Sequence, residues 1–168
     1  MNFDIVKVDY NNIKMFDQLA ELLNDYACDP MGGGKAISPK VLERLAIELP
    51  KRNDAVSFIA LNLDTEHSSS PKAVGLINAF EGFSTFQAKP LMNIHDVFVK
   101  KEARGSGVAQ ALMLSLEKEA IARRCCKLTL EVLNKNHAAK RTYEKLGYSG
   151  YELDPSVGQA VFWQKEIG

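Results

Sequence analysis

Hydrophobic positions recur along the chain with two periods, every second residue in some stretches and every third or fourth in others. Apolar runs at 3–8, 56–63 and 73–80 predict three strands, because they alternate or are rich in β-branched residues. Apolar residues three and four positions apart predict helices over 13–26 and 38–49, and the second opens with Ser-Pro, a common helix start. The first half of the chain is therefore expected to have the order β-α-α-β-β.

The second half alternates strands and helices. A strand at 93–99 leads through a glycine-containing turn into a helix with an apolar face made of Ala109, Leu112, Met113, Leu116 and Ala120. A strand at 127–132, a helix at 136–147 and two short terminal strands complete the order β-α-α-β-β-β-α-β-α-β-β. This order predicts an α/β fold in which about four helices flank a mixed, mostly antiparallel sheet of six to seven strands.

Length and composition narrow the class of protein. A chain of 168 residues fits a single domain, 1–168, and 21 basic against 21 acidic residues give no net charge to attract nucleic acid or an anionic membrane. Three cysteines, two of them adjacent, suit a reducing compartment better than a disulfide framework. The first residues lack the apolar run of a signal peptide, and no run is long enough to span a membrane. We expect a cytoplasmic protein.

The run PMGGGK at 30–35 suggests a phosphate-binding loop, but the residues around it do not fit the Walker pattern. Asp29 stands where the first glycine is required, and Ala36 stands where a serine or threonine would bind magnesium. A helix precedes the run instead of a strand. We expect either a loop that only turns the chain or a mobile lid over a substrate.

A second glycine stretch joins the strand at 93–99 to the following helix through Arg104-Gly105-Ser106-Gly107. The start of a helix presents unpaired N–H groups that bind phosphate oxygens, and glycine lets a pyrophosphate approach the backbone. Gln110 stands where a dinucleotide-binding fingerprint needs its third glycine. On its own, the stretch fits either a phosphate cradle or a plain turn between strand and helix.

The strand IHDVFV, the turn EARGSGVA, the strand LEV and the helix NHAAKRTYEKLGY resemble, in order and spacing, those of the N-acetyltransferases of the GNAT family. The resemblance covers nearly the whole chain. Within the family, HDVFVKKEARGSGVAQAL is similar to the diamine and polyamine acetyltransferase branch. The implied activity is transfer of an acetyl group from acetyl-CoA to an amine, without a metal.

The resemblance assigns roles to particular residues. The pyrophosphate of acetyl-CoA is expected on the amides of Arg104, Gly105, Ser106, Gly107, Val108, Ala109 and Gln110. The pantetheine arm is expected along the backbone of Val97, Phe98 and Val99, and Asn136 matches an asparagine that bonds the same region. Tyr143 matches the tyrosine near the CoA sulfur and is the expected general acid for the leaving thiolate.

An alkylammonium has a pKa of about 10.4 in water and must lose a proton before it attacks. His95 and Asp96 are the candidate bases, expected on opposite faces of their strand, and histidine ordinarily titrates close to neutral pH. A water chain is the alternative route for the proton, and Glu81 is a third candidate. The acceptor side is expected to include Asp29, Met31, Glu81 and Phe83.

The favoured function is acetylation of a primary amine on a small molecule. A protein or peptide N-acetyltransferase and a non-catalytic acyl-CoA-binding module are the alternatives. Antibiotics, amino acids, polyamines and peptides all stay open as acceptors, and a homodimer is possible because dimers are common in the family.

Overall fold

The computed structural model of the chain describes residues 1–64, 71–151, 156 and 161–167. The chain divides into two compact units, Met1–Leu130 and Glu131–Gly168. The expectation of one domain over 1–168 stays a prediction.

The first unit holds most of the regular structure, and its elements follow the expected order. Its strands and helices are β1 (Phe3–Lys7), α1 (Ile13–Cys28), α2 (Pro39–Glu48), β2 (Ala55–Asn62), β3 (Lys72–Ser84), β4 (Lys89–Val99), α3 (Val108–Ala122) and β5 (Leu128–Leu130). The second unit contains α4 (His137–Lys145). The sequence placed strand ends near 80 and 93, whereas β3 and β4 continue through most of 81–90 as one long hairpin.

The sheet has the strand order β1-β2-β3-β4-β5, antiparallel except for the parallel pair β4–β5. The described residues form five strands instead of the six to seven expected. The two terminal strands fall on a segment of which only 151, 156 and 161–167 are described, and these carry no strand pairing. Phe162 and Trp163 are exposed there, so their apolar side chains have no buried sheet face to pack on.

Helices cover both faces of the sheet in the first unit. On one face the α1 residues Phe16, Leu19 and Leu22 pack in one buried cluster with Leu76 of β3 and Phe98 of β4. The other face is covered by α3, whose buried residues are Val108, Leu112, Met113, Leu116 and Ala120. The apolar stripes expected on α1 and α3 are therefore the surfaces that pack on the sheet, whereas α2 has no buried residue.

One extra residue in β4 changes which side chains face each helix. Ile94 pairs with Ala79 and Asp96 pairs with Asn78, so His95 has no partner of its own on β3 and forms a β-bulge. Up to Ile94 the even-numbered residues of β4 lie on the α3 face. Beyond the bulge the even-numbered residues lie on the α1 face, because a one-residue shift moves side chains to the opposite side of a sheet.

Gly75 of β3 provides a test of the packing between the sheet and α3. A Cβ atom at Gly75 would lie 2.9 Å from a Val108 methyl group and 3.1 Å from the Phe98 carbonyl oxygen. Gly75→Ala is therefore expected to lower the free energy of unfolding by about 1–3 kcal/mol, because the helix must shift away from the sheet. Urea denaturation measures the change.

Gly82→Ala is the matched control on the same strand. A Cβ atom there would meet Leu91 at 3.5 Å, an ordinary van der Waals distance. This variant is expected to change the free energy of unfolding by less than about 1 kcal/mol. Equal losses in the two variants would contradict the packing account.

Candidate active site

The turn between β4 and α3 exposes a continuous run of backbone donors. Gly105 and Gly107 have φ angles of +81° and +89°, a left-handed conformation that side chains rarely adopt, and Gly107 is the N-cap of α3. In the described part of the chain, no hydrogen bond is donated by any backbone N–H from Gly105 to Gln110. Such a run at a helix start is an anion-binding site.

The space over the turn is open. Space for a Cβ atom is open at both Gly105 and Gly107, so a ligand can approach the backbone without meeting protein atoms. Two of the basic side chains nearby are already engaged. Lys100 binds Glu21 and Asp25 of α1, and Arg104 donates to the Val99 carbonyl and to Asp29. The amides therefore attract an anion without the help of these two side chains.

The last residues of β4 have an edge that β5 does not cover. The parallel pairing of β4 with β5 ends at Ile94. Lys100 N–H bonds back to the β3 residue Val74, so the Val99 peptide groups point away from β3, and those of Val97 follow the same direction. The Phe98 groups point toward β3. Of the three residues expected to bind pantetheine, Val97 and Val99 present their N–H groups to the open edge.

His95 and Asp96 lie on the same face of the sheet, so the expectation that they lie on opposite faces is wrong. His95 contacts the Phe80 ring edge-on at a centroid distance of 4.9 Å, and Asp96 accepts a hydrogen bond from Asn78 Nδ2 at 3.0 Å. Phe80 and Asn78 are two residues apart on β3 and therefore share a face. The bulge causes the difference, because it breaks the alternation of the strand between the two residues.

The carboxyl group of Asp96 is half-buried. Burial raises the pKa of Asp96, while the Asn78 hydrogen bond and the charge on neighbouring His95 act in the opposite direction. Tyr26 of α1 lies near enough that the pKa of its phenol is raised by burial and then by the negative charge of Asp96. A carboxyl group with a raised pKa is a stronger proton acceptor than an ordinary aspartate.

His95 is exposed and lies at the open side of this cluster. Its ring meets Phe80, and the guanidinium group of Arg52 lies 5.5 Å from the centre of the same Phe80 ring. Arg52 is itself held by Asp54 at 2.6 Å. The acidic and basic groups around the bulge therefore sit beside one aromatic surface that a bound molecule can cover.

The first glycine run folds back on the end of α1. Gly32 and Gly34 donate their N–H groups to the Asp29 carbonyl, and Asp29 Oδ1 accepts from Met31 N–H at 2.9 Å. A Cβ atom at Gly32 would lie 2.0 Å from the Tyr26 carbonyl oxygen, so this position admits only glycine. The geometry explains the run as a tight turn, and its movement as a lid stays a prediction.

Asp29 joins this turn to the second glycine stretch. Its Oδ2 atom lies 2.9 Å from the Arg104 guanidinium, so a residue expected on the acceptor side holds one expected on the cofactor side. The Met31 backbone donor, followed by Arg104, lowers the pKa of Asp29 below its ordinary value. The two glycine stretches, 75 positions apart at this contact, meet through one ion pair.

The other residues expected near the acceptor are not gathered at the bulge. Glu81 pairs with Arg123 at the end of α3, on the face opposite to His95 and Asp96. Met31 and Phe83 are both exposed, the first in the glycine turn and the second near the end of the β3–β4 hairpin. Their roles at the acceptor side stay predictions.

Asn136 and Tyr143 belong to the second unit. Asn136 is the N-cap of α4, and its Oδ1 atom accepts from Ala139 N–H at 3.2 Å. Tyr143 is half-buried on α4, with its ring centre 6.0 Å from that of Tyr148. The two residues therefore lie on one helix, as the sequence predicted, and their roles toward acetyl-CoA stay predictions.

The described residues also bear on metal sites and membrane spans. They contain no group of three or more histidine, cysteine, aspartate or glutamate side chains arranged to hold a metal ion. None of the helices in those residues is both long and apolar enough to cross a membrane.

Comparison with known protein families decides what class of enzyme this arrangement belongs to. The sequence model described as the acetyltransferase (GNAT) family matches residues 19–148, which include the turn, the bulge and α4. The chain belongs to the acetyltransferase (GNAT) family. The resemblance found in the sequence is thereby confirmed, and the chain is classed with enzymes that transfer acetyl groups.

Solved structures share the fold at low sequence identity. A probable acetyltransferase is 20% identical with a TM-score of 0.75, covering 97% of this chain and 99% of that one. An aminoglycoside acetyltransferase from an uncultured soil metagenomic sample, bound to sisomicin, is 17% identical with a TM-score of 0.76, covering 99% and 97%. AAC(6')-Iy, bound to the bisubstrate analogue CoA-S-monomethyl-acetylneamine, is 16% identical with a TM-score of 0.74, covering 99% and 100%.

Several residues that shape the site were missed by the sequence reasoning. Asn78 and Ser57 lie within ordinary-looking strands, and Arg52 follows the short turn after α2. The sequence contained one signal for Asn78 and Ser57. Each is a polar residue inside an apolar run, where a buried side chain must find a hydrogen-bond partner.

The ion pair between Asp29 and Arg104 has a pH-dependent stability. Asp29→Ala is expected to lower the free energy of unfolding by about 1–2 kcal/mol at pH 7, because it removes acceptors for Arg104 and for Met31 N–H. The pKa of Asp29 is lowered in the folded protein. Asp29 therefore contributes its full share to the free energy of unfolding at pH values above the ordinary pKa of aspartate. This contribution is lost as the pH falls through the lowered pKa of Asp29 in the folded protein.

Urea denaturation at pH 7 and at about pH 3 measures the difference between wild type and variant. Asp17→Ala, which removes an exposed carboxylate from α1, is the control. A loss that is the same at both pH values would contradict a role for the charge of Asp29.

Proposed function

We propose that the protein is an acetyl-CoA-dependent N-acetyltransferase that acts on a primary amine of a small molecule. The observation that carries the proposal is the run of six unpaired backbone donors from Gly105 to Gln110, placed directly after the strand whose edge is open. Membership of the GNAT family supports acetyl transfer as the reaction.

Acetyl-CoA supplies the acetyl group as a thioester. We assign its pyrophosphate to the amides of the turn from Gly105 to Gln110, because the Arg104 N–H, which was expected to join them, donates to the Lys101 carbonyl oxygen. We assign its pantetheine arm to the open edge at Val97 and Val99. Phe98 lines the strand but directs its own peptide groups toward β3. Asn136 of the second unit is the further candidate for the pantetheine region.

The residues at the bulge receive the proton of the acceptor. Asp96, with its raised pKa, takes the proton from the ammonium group, and exposed His95 passes it to water. The neutral amine then attacks the thioester carbonyl carbon and forms the C–N bond. As the C–S bond breaks, the nitrogen gives up its second proton to water, and this proton balances the one that Tyr143 donates and then regains from water. The Val97 N–H stabilises the negative charge that develops on the carbonyl oxygen, and Tyr143 donates its phenolic proton to the leaving thiolate.

The acceptor is expected to be a compact cation. Asp96 and Asp29 provide carboxylates on the side of the sheet covered by α1, and Tyr26 and Phe80 provide aromatic surface. Two of the similar structures bind sisomicin or an acetylneamine-containing analogue, which supports an amino sugar as the first class to screen. A cytoplasmic location and a homodimer stay predictions.

Calorimetric titration with acetyl-CoA, with ATP and NAD as controls, tests the cofactor assignment. Gly107→Glu is expected to raise the Kd for acetyl-CoA at least roughly tenfold, because a carboxylate would occupy the space over the turn and repel the phosphates. Gly33→Glu is the matched control, since Gly33 also has a positive φ and open space for a Cβ atom. If only Gly33→Glu weakened the binding of acetyl-CoA, the pyrophosphate would bind at the first glycine run and not at the turn before α3.

Removal of one hydroxyl group tests the general acid. Tyr143→Phe is expected to lower kcat by roughly 10²-fold or more while the Kd for acetyl-CoA changes by less than about threefold. Thiol release measures kcat, and calorimetry measures Kd. An unchanged kcat would exclude Tyr143 as the acid.

The alternative functions differ in what they do with an acceptor. A protein or peptide N-acetyltransferase would acetylate peptides faster than small amines. A non-catalytic acyl-CoA-binding module would bind acetyl-CoA and release no thiol with any amine in the panel. The half-buried carboxyl group of Asp96 favours an enzyme, because a binding module has no need of a proton acceptor.

A further inference from the structure

A row of polar side chains crosses the sheet on its α1 face, from Tyr10 in the turn after β1 to one residue on each of β2, β3 and β4. The Tyr10 hydroxyl lies 2.8 Å from Ser57 Oγ, Ser57 Oγ lies 2.5 Å from Asn78 Oδ1, and Asn78 Nδ2 lies 3.0 Å from Asp96 Oδ2. Ser57 and Asn78 are 2% and 7% exposed, so they are polar groups within the core. The row ends at Asp96, directly after the bulge.

The chemistry of the groups sets the direction of the hydrogen bonds. The Asn78 carbonyl oxygen can only accept, so Ser57 uses its single proton to donate to it. Ser57 must then accept from the Tyr10 hydroxyl. With its oxygen held by Ser57, the Asn78 amide directs its NH2 group to Asp96, because the flipped amide would place its oxygen against a carboxylate.

We propose that Asn78 is a positioning residue for acetyl transfer, which holds Asp96 Oδ2 so that Oδ1 faces the acceptor amine. This inference rests on the proposed function. Within the described part of the chain, Asp96 Oδ1 accepts no hydrogen bond, so the acceptor finds this oxygen open. Because Ser57 and Asn78 are buried on paired strands, the carboxylate is fixed before a substrate arrives.

The groups that face Asp96 determine how its pKa changes when the Asn78 donor is lost. The titratable ones are His95 of β4 and Tyr26 of α1, while β3 and β2 present the neutral side chains of Asn78 and Ser57. The Asn78 donor favours the charged carboxylate, and burial favours the neutral carboxyl group. Loss of the donor therefore raises the pKa of Asp96 further.

Asn78→Leu tests the inference with two readouts. The titration of the Asp96 carboxyl carbon by ¹³C NMR, assigned by its absence in Asp96→Asn, is expected to move to higher pH. The acid limb of the kcat/KM profile should move in the same direction. At pH 6.5, kcat/KM is expected to fall roughly tenfold, with recovery to within about threefold of wild type at pH 9.

Asn93→Leu is the matched control. It makes the same change on the neighbouring strand β4, on the same face of the sheet as Asn78. Asn93 donates to Thr129 Oγ1 at 2.8 Å and has no carboxylate partner, so neither readout should move. Ser57→Ala serves if Asn78→Leu does not fold. This variant keeps the hydrogen bond from Asn78 to Asp96 but removes the Ser57 donor that holds the Asn78 amide oxygen. It should shift both readouts to higher pH, by a smaller amount than Asn78→Leu.

The outcomes separate the two proposals. A wild-type protein that neither binds acetyl-CoA nor acetylates any amine overturns the proposed function before a variant is made. An active protein in which Asn78→Leu leaves the Asp96 titration unchanged overturns the positioning role. An NMR shift without a shift of the kcat/KM profile also overturns it, because Asn78 would then act on a carboxylate that the reaction does not use.

Discussion

Because β4 contains one residue more than the segment of β3 opposite it, the two halves of this strand serve different purposes. Before the bulge, its even-numbered side chains pack toward α3, and its edge pairs with β5. After the bulge, Asp96 and Phe98 turn toward α1, and the edge at Val97 and Val99 is open. One inserted residue thus creates both a carboxyl group on the sheet face and free donors at the strand edge.

The two sides of the candidate site depend on this change in different ways. In the first unit, the proposed cofactor side consists of backbone groups, namely the open edge and the turn that follows it. The acceptor side needs side chains, and the bulge brings His95 and Asp96 onto the face where α1 contributes Tyr26. Membership of the GNAT family is consistent with a cofactor side and an acceptor side. Enzymes that share a fold differ in the residues of the acceptor side, which set the substrate.

Much of the fold could be predicted from local sequence. The helices α1, α2 and α3 follow from apolar spacing, and the donor-rich turn follows from two glycines before a helix. The adjacent polar residues His95 and Asp96 interrupt the alternation of NIHDVFV, but an extra residue in the strand is visible only in the pairing with β3, so the bulge could not be predicted. The contact of Asp29 with Arg104 joins residues 75 positions apart, so it depends on how the sheet brings two loops together.

The engagement of Lys100 and Arg104 by carboxylates has a consequence for the energetics of the turn. A site built from flexible cationic side chains must immobilise them when an anion arrives, and each ordering step opposes binding. The amides from Gly105 to Gln110 are held by the backbone geometry of the turn and by the first turn of α3. Their dipoles are already oriented, so an anion that binds here would not have to order Lys100 or Arg104 first.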